Sequence, residues 1–124
     1  MTINNLNTIK EYTIDATGKP LGRLSTEVAV LLNAKNSTAF VKNLVANVKV
    51  KVINASKIKI TGLNKMKDNM HKTYSGYPGG LCQKSWKYVV EKNGFGELIK
   101  HAVSGMLPKN KLHDKRLMNL STEE

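Results

Sequence analysis

A few residues in this chain have the types that chemistry requires, and their spacing decides whether they can do it. Cys82 follows Gly79, Gly80 and Leu81, and His71 and His101 are the imidazoles that could activate it. A nucleophilic thiol needs a base within hydrogen-bond reach, and nothing in the spacing brings either histidine there, so Cys82 reads first as a small packing residue. A metal centre needs clustered ligands. His71, His101 and His113 are dispersed, no Cys or His pair has finger spacing, and no metal is expected. Asp15, Glu27, Asp68, Glu91 and Glu97 show no pairing suited to acid–base work. Two stretches are tested as phosphate cradles. In TGKPLGR a Walker loop would need Ser or Thr after the lysine, and Pro20 stands there. NGFGEL (93–98) offers Gly-x-Gly between two helical patterns, whereas a dinucleotide fold places it after a strand. The expectation is therefore no enzyme, no cofactor and no small-molecule substrate.

Charge points elsewhere. Twenty Lys and Arg against nine Asp and Glu leave a formal +11 in 124 residues. That excess favours a polyanionic partner, with nucleic acid ahead of an anionic membrane surface. No acid occurs from Val28 to Lys67, and a second acid-free run extends from Leu98 to His113. Only Arg23 and Arg116 are arginines, so the chain is better supplied for phosphate and shape recognition than for reading base edges. One cysteine excludes an internal disulfide and fits a reducing compartment. The amino terminus resembles no secretory leader, and no apolar run approaches the roughly 18 residues of a membrane span, so a cytoplasmic protein without a membrane partner is expected.

The elements that must position these residues follow from periodicity. YTID (12–15) reads as a strand ended by the turn TGKP, and Leu21, Leu24, Val28, Leu31 and Leu32 form one face of a helix. VKVKVI (48–53) alternates, with Lys49 and Lys51 on a solvent face, and KIKI (57–60) reads as a shorter strand. Helices are expected over 85–93 and 95–107, with Gly105 as a stop and Pro108 beyond it. Trp86, Met106 and Leu107 are assigned to packing. The length fits one domain, divided as an arm (1–11), an α/β domain (12–108) and a basic carboxyl-terminal extension (109–124).

Four stretches taken together resemble a known family. YTIDATGKPLGRLSTEVA (12–29), VINASKIKITG (52–62), SGYPGGL (75–81) and AVSGMLPKNKL (102–112) are similar, in order and spacing, to the large-subunit ribosomal protein thirteen family of bacterial type. The resemblance implies a three-layer α/β domain with a four-stranded parallel or mixed sheet flanked by helices. It also implies a structural constituent of the large ribosomal subunit that binds large-subunit ribosomal RNA, meets neighbouring ribosomal proteins, and supports early assembly and translation.

The residues supply a matching rationale for RNA contact. Lys19 and Arg23 flank a helix start whose amides favour anions. Lys49, Lys51 and Lys72 are strand or loop cations. Tyr74 and Tyr77 can stack on bases or pack in the core, and Gly79 and Gly80 lack a Cβ, which admits close backbone approach. Pro108 stops a helix, after which Lys109, Asn110 and Lys111 are presented together. The chain departs from the family pattern at VANV (45–48), at Thr73 and Tyr74, and throughout HDKRLMNLSTEE. A free-standing messenger-RNA repressor is the rival reading, and a Cys82-dependent enzyme the more distant one.

Overall fold

A computed structural model describes residues 9–38, 40–62 and 64–124. In chain order the elements are β1 (Lys10–Asp15), α1 (Leu21–Leu32), β2 (Val48–Ile53), a 3-10 turn (Ala55–Lys57), α2 (Lys65–Asp68) and β3 (Met70–Tyr74). They continue with β4 (Leu81–Ser85), α3 (Trp86–Asn93), α4 (Phe95–Met106), α5 (His113–Leu117) and β5 (Leu120–Thr122). The fold is mixed α/β.

The alternation in VKVKVI does what its period requires: Val48, Val50 and Val52 are buried and Lys49 and Lys51 exposed. Parallel pairing aligns Tyr12 with Val50 and Ile14 with Val52 on one side, and Val50 with Leu120 on the other. The resulting apolar face packs against α1, through Leu24, Val28 and Leu32, and α4 joins the same core, through Ile99 and Val103, against α1 and the 3-10 turn. Each such side chain, once fully buried, contributes about 1.5–3 kcal/mol relative to exposure. Ser25 enters the same buried face because its hydroxyl donates to the Leu21 carbonyl at 2.7 Å, which leaves no unpaired donor.

The sheet differs from the expected four-stranded, three-layer arrangement. Among the described residues it has three parallel strands in the order β1-β2-β5, and β3 and β4 form a separate antiparallel pair. KIKI is not a strand. Its backbone enters the 3-10 turn and then makes a single bridge, Lys59 to Pro20, because Lys59 bonds in both directions to the turn that starts α1. The second face of the sheet carries Glu11, Thr13, Asp15, Lys49, Lys51 and Ser121, all exposed, and no described helix covers it. Gly105 lies inside α4, which continues to Met106 and ends at Leu107, before Pro108.

The chain after Pro108, set apart in sequence as an extension, supplies α5 and an edge strand, with β5 pairing with β2. The Gly-x-Gly of NGFGEL explains how that tail is seated. A Cβ on Gly96 would meet the Thr122 side chain, and one on Gly94 would meet the Glu124 carboxylate. Glu124 Oε1 accepts from the Phe95 amide at 2.8 Å and so caps α4, whose own N-cap residue is a glycine without a side chain. These glycines make a groove for the tail and not a nucleotide site. At the other terminus, residues 1–8 of the expected arm lie outside the described residues, and Lys10 and Glu11 belong to β1.

Candidate nucleic-acid interface

The carboxyl ends of the parallel strands gather cations and glycine turns. After β1 the chain turns through Thr17 and Gly18, and the Asp15 carboxylate fixes that turn. It accepts from the Thr17 amide at 3.0 Å, the Thr17 hydroxyl at 2.7 Å and Asn54 Nδ2 at 3.1 Å. Those bonds, the Thr17 amide first, hold the Asp15 carboxyl below its ordinary value. Segment 57–59 is laced to this turn: Gly18 N–H donates to the Lys57 carbonyl, and Lys59 N–H donates to the Lys19 carbonyl, each at 3.0 Å. Lys19, Arg23, Lys57 and Lys59 thereby meet around the first turn of α1. That turn has no acidic residue and no capping side chain, so the positive end of the helix dipole is left open. Lys57 and Lys59 were not singled out in the sequence. Their signal is the alternating KIKI pattern, which in sequence has the period of a strand face.

The hairpin stands beside this cluster. A hollow of about 270 Å³ between Pro20, Gly22 and Lys59 on one side and Asn69 and Trp86 on the other separates the start of α1 from the hairpin base. Trp86 N–H closes that base on the Asn69 carbonyl at 3.0 Å. Trp86 is half-buried there and lies outside the main core cluster; Leu107 is buried as expected, but Met106 is exposed. In the hairpin itself Tyr74 pairs with Leu81 and Lys72 with Gln83, and Tyr74 and Tyr77 are 63% and 75% exposed. That exposure removes the core-packing reading of both tyrosines.

The two glycines of the turn act differently. Gly79 has φ +75° with open space where a Cβ would stand, so backbone conformation selects glycine and the position stays open to an incoming group. At Gly80 a Cβ would meet the Ser75 hydroxyl and sit 3.0 Å from the Tyr77 carbonyl, so this glycine serves the packing of the turn itself.

The remaining candidates lie apart from this end. Lys49 and Lys51 are on the open sheet face among carboxylates: Glu11 is the register partner of Lys49, and Lys51 Nζ lies 2.6 Å from Glu123. Lys19 also has a carboxylate partner, Glu27 at 2.8 Å, whereas none lies within 4 Å of Arg23 or Lys72 among the described residues. Lys109 and Lys111 are exposed beyond the last turn of α4, and Asn110 builds the turn between them, its Oδ1 accepting from the Leu112 amide at 3.0 Å. Among the described residues no group of three His, Cys, Asp or Glu could hold a metal, and no helix is long and apolar enough to cross a membrane.

Comparison with known proteins places this architecture. Residues 9–122 match the family described as Ribosomal protein L13. The large ribosomal subunit protein uL13 of Desulfitobacterium hafniense is 45% identical over 103 residues, covering 83% of this chain and 71% of that protein. The protein of the same name from Clostridioides difficile is 41% identical over 111 residues, covering 90% of this chain and 76% of that one. That of Syntrophotalea carbinolica is 46% identical over 101 residues, covering 82% and 70%. The chain belongs to the ribosomal protein L13 family, a family of structural ribosomal proteins and not of enzymes.

Proposed function

We propose that this chain is a structural constituent of the large ribosomal subunit in the cytoplasm. It binds large-subunit ribosomal RNA through the β3–β4 hairpin and the cations around the start of α1, and supports early subunit assembly and translation. The observation that carries the reading is the hairpin. A two-stranded hairpin is marginal by itself, yet this one holds Lys72, Tyr74 and Tyr77 in solvent beside an uncapped, cation-flanked helix start. Tyrosines can stack on unpaired bases while lysines contact phosphates. Gly79 leaves room for close approach, Lys109 and Lys111 add phosphate contacts from the end of α4, and Lys49 and Lys51 contribute least because Glu11 stands opposite the first in register and Glu123 pairs with the second.

Co-sedimentation with large subunits in a lysate, followed by binding to a large-subunit RNA fragment across a salt series, tests the reading. Each phosphate contact contributes roughly 0.7–0.9 to the log–log slope. Lys109→Ala with Lys111→Ala should lower the slope, and Cys82→Ala should leave affinity unchanged. Salt-independent binding, or a chain that sediments free of subunits, would sink it.

A further inference from the structure

The amino end of the parallel sheet collects exposed side chains that the RNA reading does not use. Ile9 precedes β1, Val41 and Leu44 lie in the segment before β2, and Met118 lies just ahead of β5. Because the strands are parallel, these approaches arrive at one end, and backbone bonds hold them side by side. Lys10 N–H donates to the Asn47 carbonyl at 3.0 Å, and Val50 N–H to the Asn119 carbonyl at 2.9 Å. The four side chains are between 47% and 82% exposed. None can form a strong hydrogen bond.

Arg116 shows that this surface is built. The side chain is buried, and its Nη2 donates to the carbonyls of Lys42 and Leu44 at 3.2 and 3.3 Å. Among the described residues it has no carboxylate partner. Burying a cation on carbonyls alone is unfavourable unless those bonds are well made. Here the two Nη2 bonds hold the backbone of a loop whose own apolar side chains, Val41 and Leu44, remain outside the core, while the buried Nε has no hydrogen-bond partner.

We propose that this end of the sheet docks a neighbouring protein of the large subunit, one that inserts aliphatic side chains and frames them with carboxylates. Apart from the ring of Phe40 beside Val41, which is 36% exposed, the apolar groups here offer RNA neither a stacking face nor a phosphate contact. α1 also ends toward this side, so its dipole is negative here and disfavours phosphate. A desolvated apolar centre with a charged rim is the anatomy of a protein interface. The rim carries Lys10, Lys42 and Lys115, all exposed, against the exposed Asp114, so it is cationic on balance and a complementary partner is acidic. A second copy of this chain would set like charges against each other. Because the partner is a subunit neighbour, the proposal rests on the ribosomal reading above.

The test places a photo-crosslinking benzoylphenylalanine at Leu44, and separately at Tyr77, in the full chain produced in cells. Large subunits are then isolated by sedimentation before irradiation. Both positions are exposed, and circular dichroism checks that the fold is kept. The Leu44 adduct should survive ribonuclease, and peptide mass spectrometry should place it on another protein, in a segment with Leu, Ile, Val or Met beside Asp or Glu. The Tyr77 adduct should be lost to ribonuclease. Lys42→Glu should lower the Leu44 adduct by about fivefold through charge repulsion. An RNA adduct at Leu44, an adduct between two copies, a partner segment without those residues, or no adduct would each overturn the proposal. Absence of the chain from large subunits would overturn the ribosomal reading, and this proposal with it.

Discussion

The two ends of one short parallel sheet carry opposite surface chemistry. At the carboxyl end, strands run into glycine turns, an uncapped helix start and a lysine cluster, with two exposed tyrosines on the hairpin beside it. At the amino end the exposed apolar side chains are aliphatic or thioether but for Phe40, set in lysines, with a buried arginine holding the 42–44 backbone. Helix direction accounts for part of the contrast. α1 runs against the strands, so its positive pole faces the first end and its negative pole the second. The pairing teaches that a formal +11 need not describe a uniformly RNA-binding surface. Local carboxylates, dipoles and apolar groups decide where the excess is usable.

The largest effect is expected from breaking the built end. Arg116→Met removes both bonds to the 42–44 backbone and should lower unfolding free energy by about 3 kcal/mol, since hydrogen bonds from a buried charge lie at the strong end of the range. Urea unfolding measures the loss. RNA affinity through the hairpin should change little, and an equal loss of both would mean that the two ends are not separable.

Next in size, Tyr74→Ala with Tyr77→Ala should weaken RNA binding by about 2 kcal/mol, roughly thirtyfold, if stacking carries the contact. Stability should stay within about 0.5 kcal/mol because both rings are already in solvent. Salt titration then compares two pairs of lysines. Lys57→Ala with Lys59→Ala should reduce the log–log slope by about 1.5, whereas Lys49→Ala with Lys51→Ala should reduce it by less than half as much. Equal reductions would show that the carboxylates on the open sheet face do not occupy their lysines.

Much of the fold was legible because one period dominated each stretch. VKVKVI and the Leu21–Leu32 face gave β2 and α1 their buried sides directly. The hairpin was not legible as strands. Both its faces are exposed, so no alternation marks MHKTY or LCQKS. KIKI alternated and still was not a strand, since its hydrogen bonds go to the Lys19 turn. The tail looked like an extension because its apolar residues are few, yet Leu120 is buried and Gly94 and Gly96 receive its end. At the candidate interface, residue types identified the tyrosines and the α1 turn. Arg116 was invisible, because a lone arginine among lysines gives no sign that it will be buried.

A smaller effect separates the two regions by pH, through histidines that both bind to α4. His113 on α5 has Nε2 3.0 Å from the Ser104 carbonyl and Nδ1 3.1 Å from Asp114 Oδ1. The Ser104 carbonyl first, and Asp114 second, raise its pKa above the ordinary value. His101 on α4 stacks on His71 of β3 with centroids 4.2 Å apart. Desolvation first, and the neighbouring His71 second, lower the His101 pKa, against a smaller opposing pull from Glu97. The signs therefore oppose. The raised His113 stabilises α5 fully below the unfolded value of about 6.5 and loses that contribution as pH rises through its folded value. The lowered His101 contributes fully above about 6.5 and loses that contribution as pH falls toward its folded value. Acidification across this window should tighten α5 on α4 and loosen the hairpin contact. Amide exchange at Arg116, bonded to the Leu112 carbonyl, and at Thr73, whose pair with Cys82 falls on a hydrogen-bonded position of the hairpin, should, once corrected for intrinsic rates, slow at the first residue and quicken at the second. His113→Gln should abolish only the first change and His101→Gln only the second; parallel shifts at both residues would mean that a single global opening, and not two local contacts, sets the exchange.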